Sequence, residues 1–158
     1  MAELLNVAKL VDRAAPPSED RRAKWLRRCQ LWSVSGILPT ASSQPASEGR
    51  RRRLYRTETI WLAAVLLRVS DFIVDTNVLA GLSRDIQRAA KGRSAFARWW
   101  RDVMRGNRSA YMFFSSTDMQ IRLSTTLNLL GPHLLDETAI ILDLTEVFAV
   151  VRENAARD

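Results

Sequence analysis

The sequence predicts an α+β chain in two parts, and three observations predict it. Segments with helical spacing of apolar residues and recognisable caps fill most of the stretch up to Arg105. That helical part is interrupted once, by a Ser/Pro-rich stretch ending in the basic run Gly49-Arg50-Arg51-Arg52-Arg53-Leu54-Tyr55. From about Ala110 the apolar residues change to short runs and strict alternation, the pattern of strands. The expected division is an N-terminal unit over residues 1–90 and a small α+β module over 91–158.

A first helix is expected over about Glu3–Arg13, with Leu4, Val7, Leu10 and Val11 on one side, and Pro16-Pro17 stops it. Ser18 is a good N-cap with Glu19 and Asp20 in the first turn, so a second helix follows over 18–33. Its spacing puts Arg22, Trp25, Cys29 and Trp32 on one face and Lys24, Arg27, Arg28 and Gln30 on the other. The tryptophans can then pack inward while the cations point out. Gly36-Ile37-Leu38-Pro39 makes a short apolar turn, and Thr40 to Glu48 lacks any periodicity and reads as a loop or the tip of a wing.

After the arginines comes a strongly apolar helix, about Thr57–Val69, with Ile60, Trp61, Ala64 and Leu67. Asp75 or Thr76 opens another, with Val78, Leu79, Leu82 and Ile86 facing in, and these two helices are expected to close the core of the N-terminal unit. Ser94 caps a helix over about Ala95–Arg105, ended by Gly106. Its Phe96, Trp99, Trp100 and Val103 call for cover, by a sheet or in a dimer. Strands are then expected at Tyr111–Phe114, Met119–Thr125 and Ala139–Leu142, with turns at 107–109 and 131–138. His133, in the second turn, reads as a surface residue. Asp143 or Thr145 caps a last helix carrying Val147, Phe148, Val150 and Val151.

Composition narrows the function. The chain has 158 residues, 47% of them hydrophobic, enough for a core without covalent staples. Its single cysteine, Cys29, excludes an internal disulfide framework and any multi-cysteine zinc site, and its apolar helical position suits a buried small hydrophobe. No apolar run approaches the ~20 residues that span a bilayer, and no signal pattern is present, so a cytoplasmic protein without a membrane role is expected. There is no Gly-rich phosphate loop, no nucleophile with a histidine base and no metal-spaced His/Cys set. Asp71, Asp75 and Asp85 interrupt or cap helices. No enzyme, cofactor or metal is expected.

The net charge of +7 is unevenly placed. Residues 1–108 hold 21 Lys+Arg against 10 Asp+Glu, and residues 109–158 hold 3 against 7. A basic block raises the local potential toward phosphates and releases counterions on binding. Only Lys9, Lys24 and Lys91 of the 24 basic residues are lysine, and arginine favours forked contacts to phosphate or guanine. A helix with outward cations, a short apolar turn and a polar loop tipped with arginines make a winged helix-turn-helix suited to duplex DNA.

Trp32, Gly36-Ile37-Leu38-Pro39, the arginines ending in Arg53-Leu54-Tyr55, Glu58 and the apolar helix after it resemble the MerR-type winged-helix domain of bacterial transcription factors, over roughly Leu4–Ala90. In that family an aromatic residue precedes a Gly-Leu-Leu turn by four positions, and an Arg-Leu-Tyr wing element leads into a third helix. The resemblance implies that Arg27 and Arg28 lie in a recognition helix, Arg53 and Tyr55 in a wing, and Arg56 beside the next helix, as contacts to phosphates and bases. This chain has Gln30 where the family usually has arginine, and its first two helices are joined less tightly, through Pro16-Pro17. It lacks both the family's metal-binding cysteines and the heptads of its dimerising coiled coil.

The expected function is therefore a sequence-specific, double-stranded DNA-binding transcriptional regulator of bacterial or phage type. Lys24, Arg27, Arg28, Gln30, Arg50, Arg51, Arg52, Arg53, Tyr55 and Arg56 are the expected DNA-binding residues. It is expected to act as a homodimer, with the C-terminal module the place for pairing or for a protein partner. The alternatives are a nonspecific architectural DNA binder, or an interaction adaptor that docks an acidic partner through Phe96–Trp100. RNA is less favoured, because the aromatics of the basic region fit a core better than a stacking platform.

Overall fold

Asn6 opens the first helix. Its side-chain oxygen accepts a hydrogen bond from the Lys9 backbone N–H at 2.9 Å, and α1 runs Val7–Ala14. The helix expected from Glu3 is therefore corrected: Leu4 and Leu5 form a short strand, β1, that pairs antiparallel with a later strand and buries Leu5 completely. The computed structural model describes residues 3–45, 51–73, 75–91, 94–115, 121–124 and 139–157. Among these residues the chain is α+β, with six helices and two small antiparallel sheets.

The second helix, α2, spans Glu19–Val34 behind Ser18 and buries Trp25, Cys29, Trp32 and Ser33. Arg22 departs from expectation. It is exposed, and its guanidinium forms a paired contact with the Asp12 carboxylate, 2.7 and 3.0 Å, tying α2 to α1. Beyond Val34 the backbone turns through Gly36 at φ +76, a left-handed conformation that glycine adopts without a Cβ penalty, and then buries Ile37 and Leu38.

Ser42–Pro45 forms a strand, β2, where a loop or wing tip is expected, because its partner supplies what the sequence lacks. Strand β3, Arg51–Arg56, pairs antiparallel with it from Ser42↔Leu54 to Pro45↔Arg51. A strand made by pairing needs no hydrophobic alternation of its own. The first sheet has the order β1-β3-β2, with β3 in the middle. The central place explains why neighbouring Leu54 and Tyr55, which point to opposite faces, are both buried. Helix α3, Thr59–Val69, is apolar almost all round, and every residue except Trp61 and Arg68 is buried.

Helix α4, Thr76–Ala90, is capped by Asp75, whose carboxylate accepts from the Asn77 N–H at 2.7 Å. Helix α5, Ala95–Met104, is capped by the Ser94 hydroxyl on the Ala97 N–H and closed by Gly106 at φ +81. The second sheet has the order β5-β4-β6, all antiparallel, with β4 Tyr111–Ser115, β5 Ile121–Ser124 and β6 Ala139–Asp143. The three expected strands are there, while Met119, Gln120, Thr125 and the turn holding His133 lie outside the described residues. Asp143 caps the last helix, α6, Leu144–Ala155, by accepting from the Thr145 N–H at 2.8 Å.

The chain divides into two compact units, residues 1–67 with 150–158 and residues 68–149, so the division falls within α3 and within α6. Helix α4 thus counts with the second unit, where it packs on α5, rather than closing the first. In the first unit the end of α6 caps α1. The Asn154 side-chain amide donates to the carbonyls of Ala15 (2.8 Å) and Arg13 (3.4 Å), two groups the helix end would leave unpaired. Within the second unit Trp100 meets Phe148 edge-on, ring centres 5.2 Å apart, and Phe96 and Trp99 flank it. No described helix is long and apolar enough to cross a membrane.

Candidate nucleic-acid interface

Unit boundaries redraw the charge distribution. The first unit holds 14 Lys+Arg against 8 Asp+Glu and the second 10 against 9, so nearly all of the +7 surplus belongs to the first. Some of its arginines serve internal ion pairs, among them Arg22 with Asp12, and Arg13 with Glu3 at 3.2 Å. Carboxylate partnership raises the Arg22 guanidinium above its ordinary value, through the hydrogen bond first and the charge second. These pairs link the start of the chain to α1 and α1 to α2, and each cation in them already faces a carboxylate.

The outer side of α2 carries further cations. Because Trp25, Cys29 and Trp32 anchor one face in the core, Lys24, Arg27 and Gln30 are exposed on the other. Arg28, expected to lie with them, is half-buried at the flank of the helix. Cys29 is fully covered, and burial pushes its thiol up to about 12, which leaves it protonated and unreactive at neutral pH.

Tyr55 belongs to the scaffold. Expected as a wing contact, it is 1% exposed, so its ring is unavailable to a ligand. The Ser33 hydroxyl donates to the Cys29 carbonyl, which commits its only proton, so in the short bond between Ser33 and Tyr55 the tyrosine hydroxyl is the donor. Burial pushes the Tyr55 phenol above its ordinary value, against the opposing charge of Arg53. This bond fastens the middle strand of the sheet to the last turn of α2.

The consequence is that Arg53, two residues before Tyr55 and on the same face of β3, stands near the C-terminal end of α2. Arg53 is half-buried, opposite Ser43 in the register. Arg56 is exposed but lies on the other face of the strand, shared with Leu54, and pairs with Leu4. Arg53 thus shares the face of β3 from which Tyr55 reaches the last turn of α2, and Arg56 lies on the other face. Arg51 and Arg52 continue β3 opposite Pro45 and Gln44, and Arg50 lies outside the described residues.

Sequence reasoning missed two residues on this face. Leu31 and Val34 are 57% and 66% exposed and extend the row begun by Lys24 and Arg27. The signal was available, because a helix that turns Trp25, Cys29 and Trp32 inward must turn residues 27, 31 and 34 outward. Among the described residues no cluster of three His, Cys, Asp or Glu side chains is placed to hold a metal ion. No family model matches the chain, and a search of curated proteins finds no match either.

Proposed function

We propose that the chain is a sequence-selective, double-stranded DNA-binding regulator whose first unit is a winged helix-turn-helix. In this reading α1 and α2 are the helix-turn-helix, α2 enters the major groove, and the β2–β3 hairpin is the wing that follows the phosphates. The single observation that carries it is the outer face of α2, with Lys24, Arg27 and Gln30 exposed, fastened through Ser33 and Tyr55 to the strand that carries Arg53. The order of elements and the β1-β3-β2 sheet support it. So does the concentration of positive charge in this unit, since an α+β unit of neutral surface would have little to steer it toward a polyanion. The MerR-type resemblance gives the same assignment for helix, turn and wing.

The protein acts in this proposal as a cytoplasmic homodimer on paired half-sites, with the second unit as the pairing or partner module. Phe96–Trp100 is a weaker docking surface than its composition suggests, because Trp100 is 5% exposed and engaged with Phe148. The test is selection of the purified chain on a random duplex library near physiological salt, followed by a salt titration on the enriched sequence. An enriched inverted repeat with a steep salt slope is the expected result. Steep salt dependence without enrichment would replace it with an architectural binder, and no retention would remove DNA from the reading.

A further inference from the structure

Lys24, Arg27, Leu31 and Val34 follow one another at spacings of three, four and three residues, which makes a single line along the outer face of α2, with Gln30 beside it. Half of that line is cationic and half is aliphatic. Single exposed aliphatic residues are ordinary on protein surfaces. Here two are adjacent, they complete a basic row, and they occupy the end of the helix that Tyr55 fixes beside Arg53. Resting on the DNA-binding reading above, we infer that Leu31 and Val34 read thymine 5-methyl groups in the major groove, while Arg27 and Gln30 pair with the edges of guanine and adenine.

Charge and apolar character together select this occupant. An apolar protein surface would have to desolvate Lys24 and Arg27 without compensation, and an acidic one would leave Leu31 and Val34 facing carboxylates. A thymine-containing major groove offers both features, phosphates along its rim and methyl groups on its floor. Glu19 and Asp20 in the first turn of α2 are repelled by phosphates, which confines docking to the segment from Lys24 to Val34. Ten residue steps cover about 15 Å, or about four base pairs. The half-site core is accordingly about four base pairs long, mixed in composition, with thymines opposite its aliphatic end.

The test uses the full chain and the duplex enriched by selection. Each thymine is replaced in turn by uracil, which removes the methyl and leaves base pairing unchanged. One or two replacements at the end of the half-site that faces Leu31 and Val34 are expected to weaken binding about fourfold each, the effect of one lost methyl burial. Leu31→Ala with Val34→Ala should bind the thymine and uracil duplexes equally, near the affinity of the unaltered protein for uracil. Arg27→Ala should weaken both duplexes and keep their ratio. A ratio of one for the unaltered protein on a selectively bound duplex overturns the methyl reading and leaves DNA binding standing. Absence of any enriched duplex overturns the methyl reading together with sequence-selective binding. The base replacement needs no variant, so the result does not depend on how the substituted proteins fold.

Discussion

Both compact units use tryptophan, but they use it differently. In the first, Trp25 and Trp32 are spread along one face of a single helix and hold it against the core, which leaves the opposite face to Lys24, Arg27 and Gln30. In the second, Phe96, Trp99, Trp100 and Phe148 gather into one aromatic group with ring centres 5.2 to 6.4 Å apart. Charge follows the same contrast. The second unit has almost as many acids as bases, and an arginine such as Arg108 has Asp102 within 3.8 Å. An arginine count alone therefore says little about a ligand. What distinguishes the first unit is a braced helix whose cations outnumber the acids around them.

The largest effects should come from the braces. Trp32→Ala and Trp100→Ala each remove a nearly buried indole and should cost about 3–5 kcal/mol in chemical denaturation. The comparison is sharpened by duplex binding at a temperature where each variant is still folded. Loss is expected for Trp32→Ala, which releases the α2 face, and retention for Trp100→Ala. Equal loss from both would break the assignment of binding to the first unit.

Charge substitutions come next. Arg27→Ala should lower affinity for the selected duplex by about 1–3 kcal/mol and relax discrimination at one base pair. Arg98→Ala and Arg105→Ala, both exposed in the second unit, should change it by less than about twofold. Comparable losses from all three, with the same change in salt slope, would mean that the whole surface binds DNA nonspecifically.

Tyr55→Phe separates scaffold from contact. With a hydrogen-bonded, buried hydroxyl, the expected cost is about 1 kcal/mol of stability, with duplex affinity and salt slope of the folded protein unchanged. A loss of affinity without a loss of stability would return Tyr55 to the interface.

The sequence made some of this plain and hid the rest for physical reasons. Helix α2 was legible because Ser18, the acidic first turn and the Trp25–Cys29–Trp32 spacing agree with one another. The α+β class was legible from the change of period after Ala110. Strand β1 was not, since two residues carry no period and Leu4 continues the spacing of α1, although Asn6 was a cap signal in plain sight. Strand β2 was not, since Ser42–Pro45 becomes a strand only by pairing with β3, a contact between separate segments. Tyr55 was misread because an aromatic after a basic run suits either a ligand or a core. Only the position of β3 in the middle of its sheet decides between them.

The smallest expected effect lies in the aromatic group of the second unit. Trp99 buries its indole Nε1–H, and among the described residues that donor has no hydrogen-bond partner. A buried unpaired donor costs about 1–3 kcal/mol, while the ring itself gains from contact with Phe96 and Trp100. Trp99→Phe removes the donor and keeps an aromatic ring, at the expense of some buried area. The two changes oppose each other, so denaturation should shift by less than about 1 kcal/mol in either direction. Trp100→Phe, which removes ring area from an indole packed edge-on against Phe148, should destabilise more. If Trp99→Phe proved the costlier of the two, Trp99 would be making a polar contact, and this group would be held by more than packing.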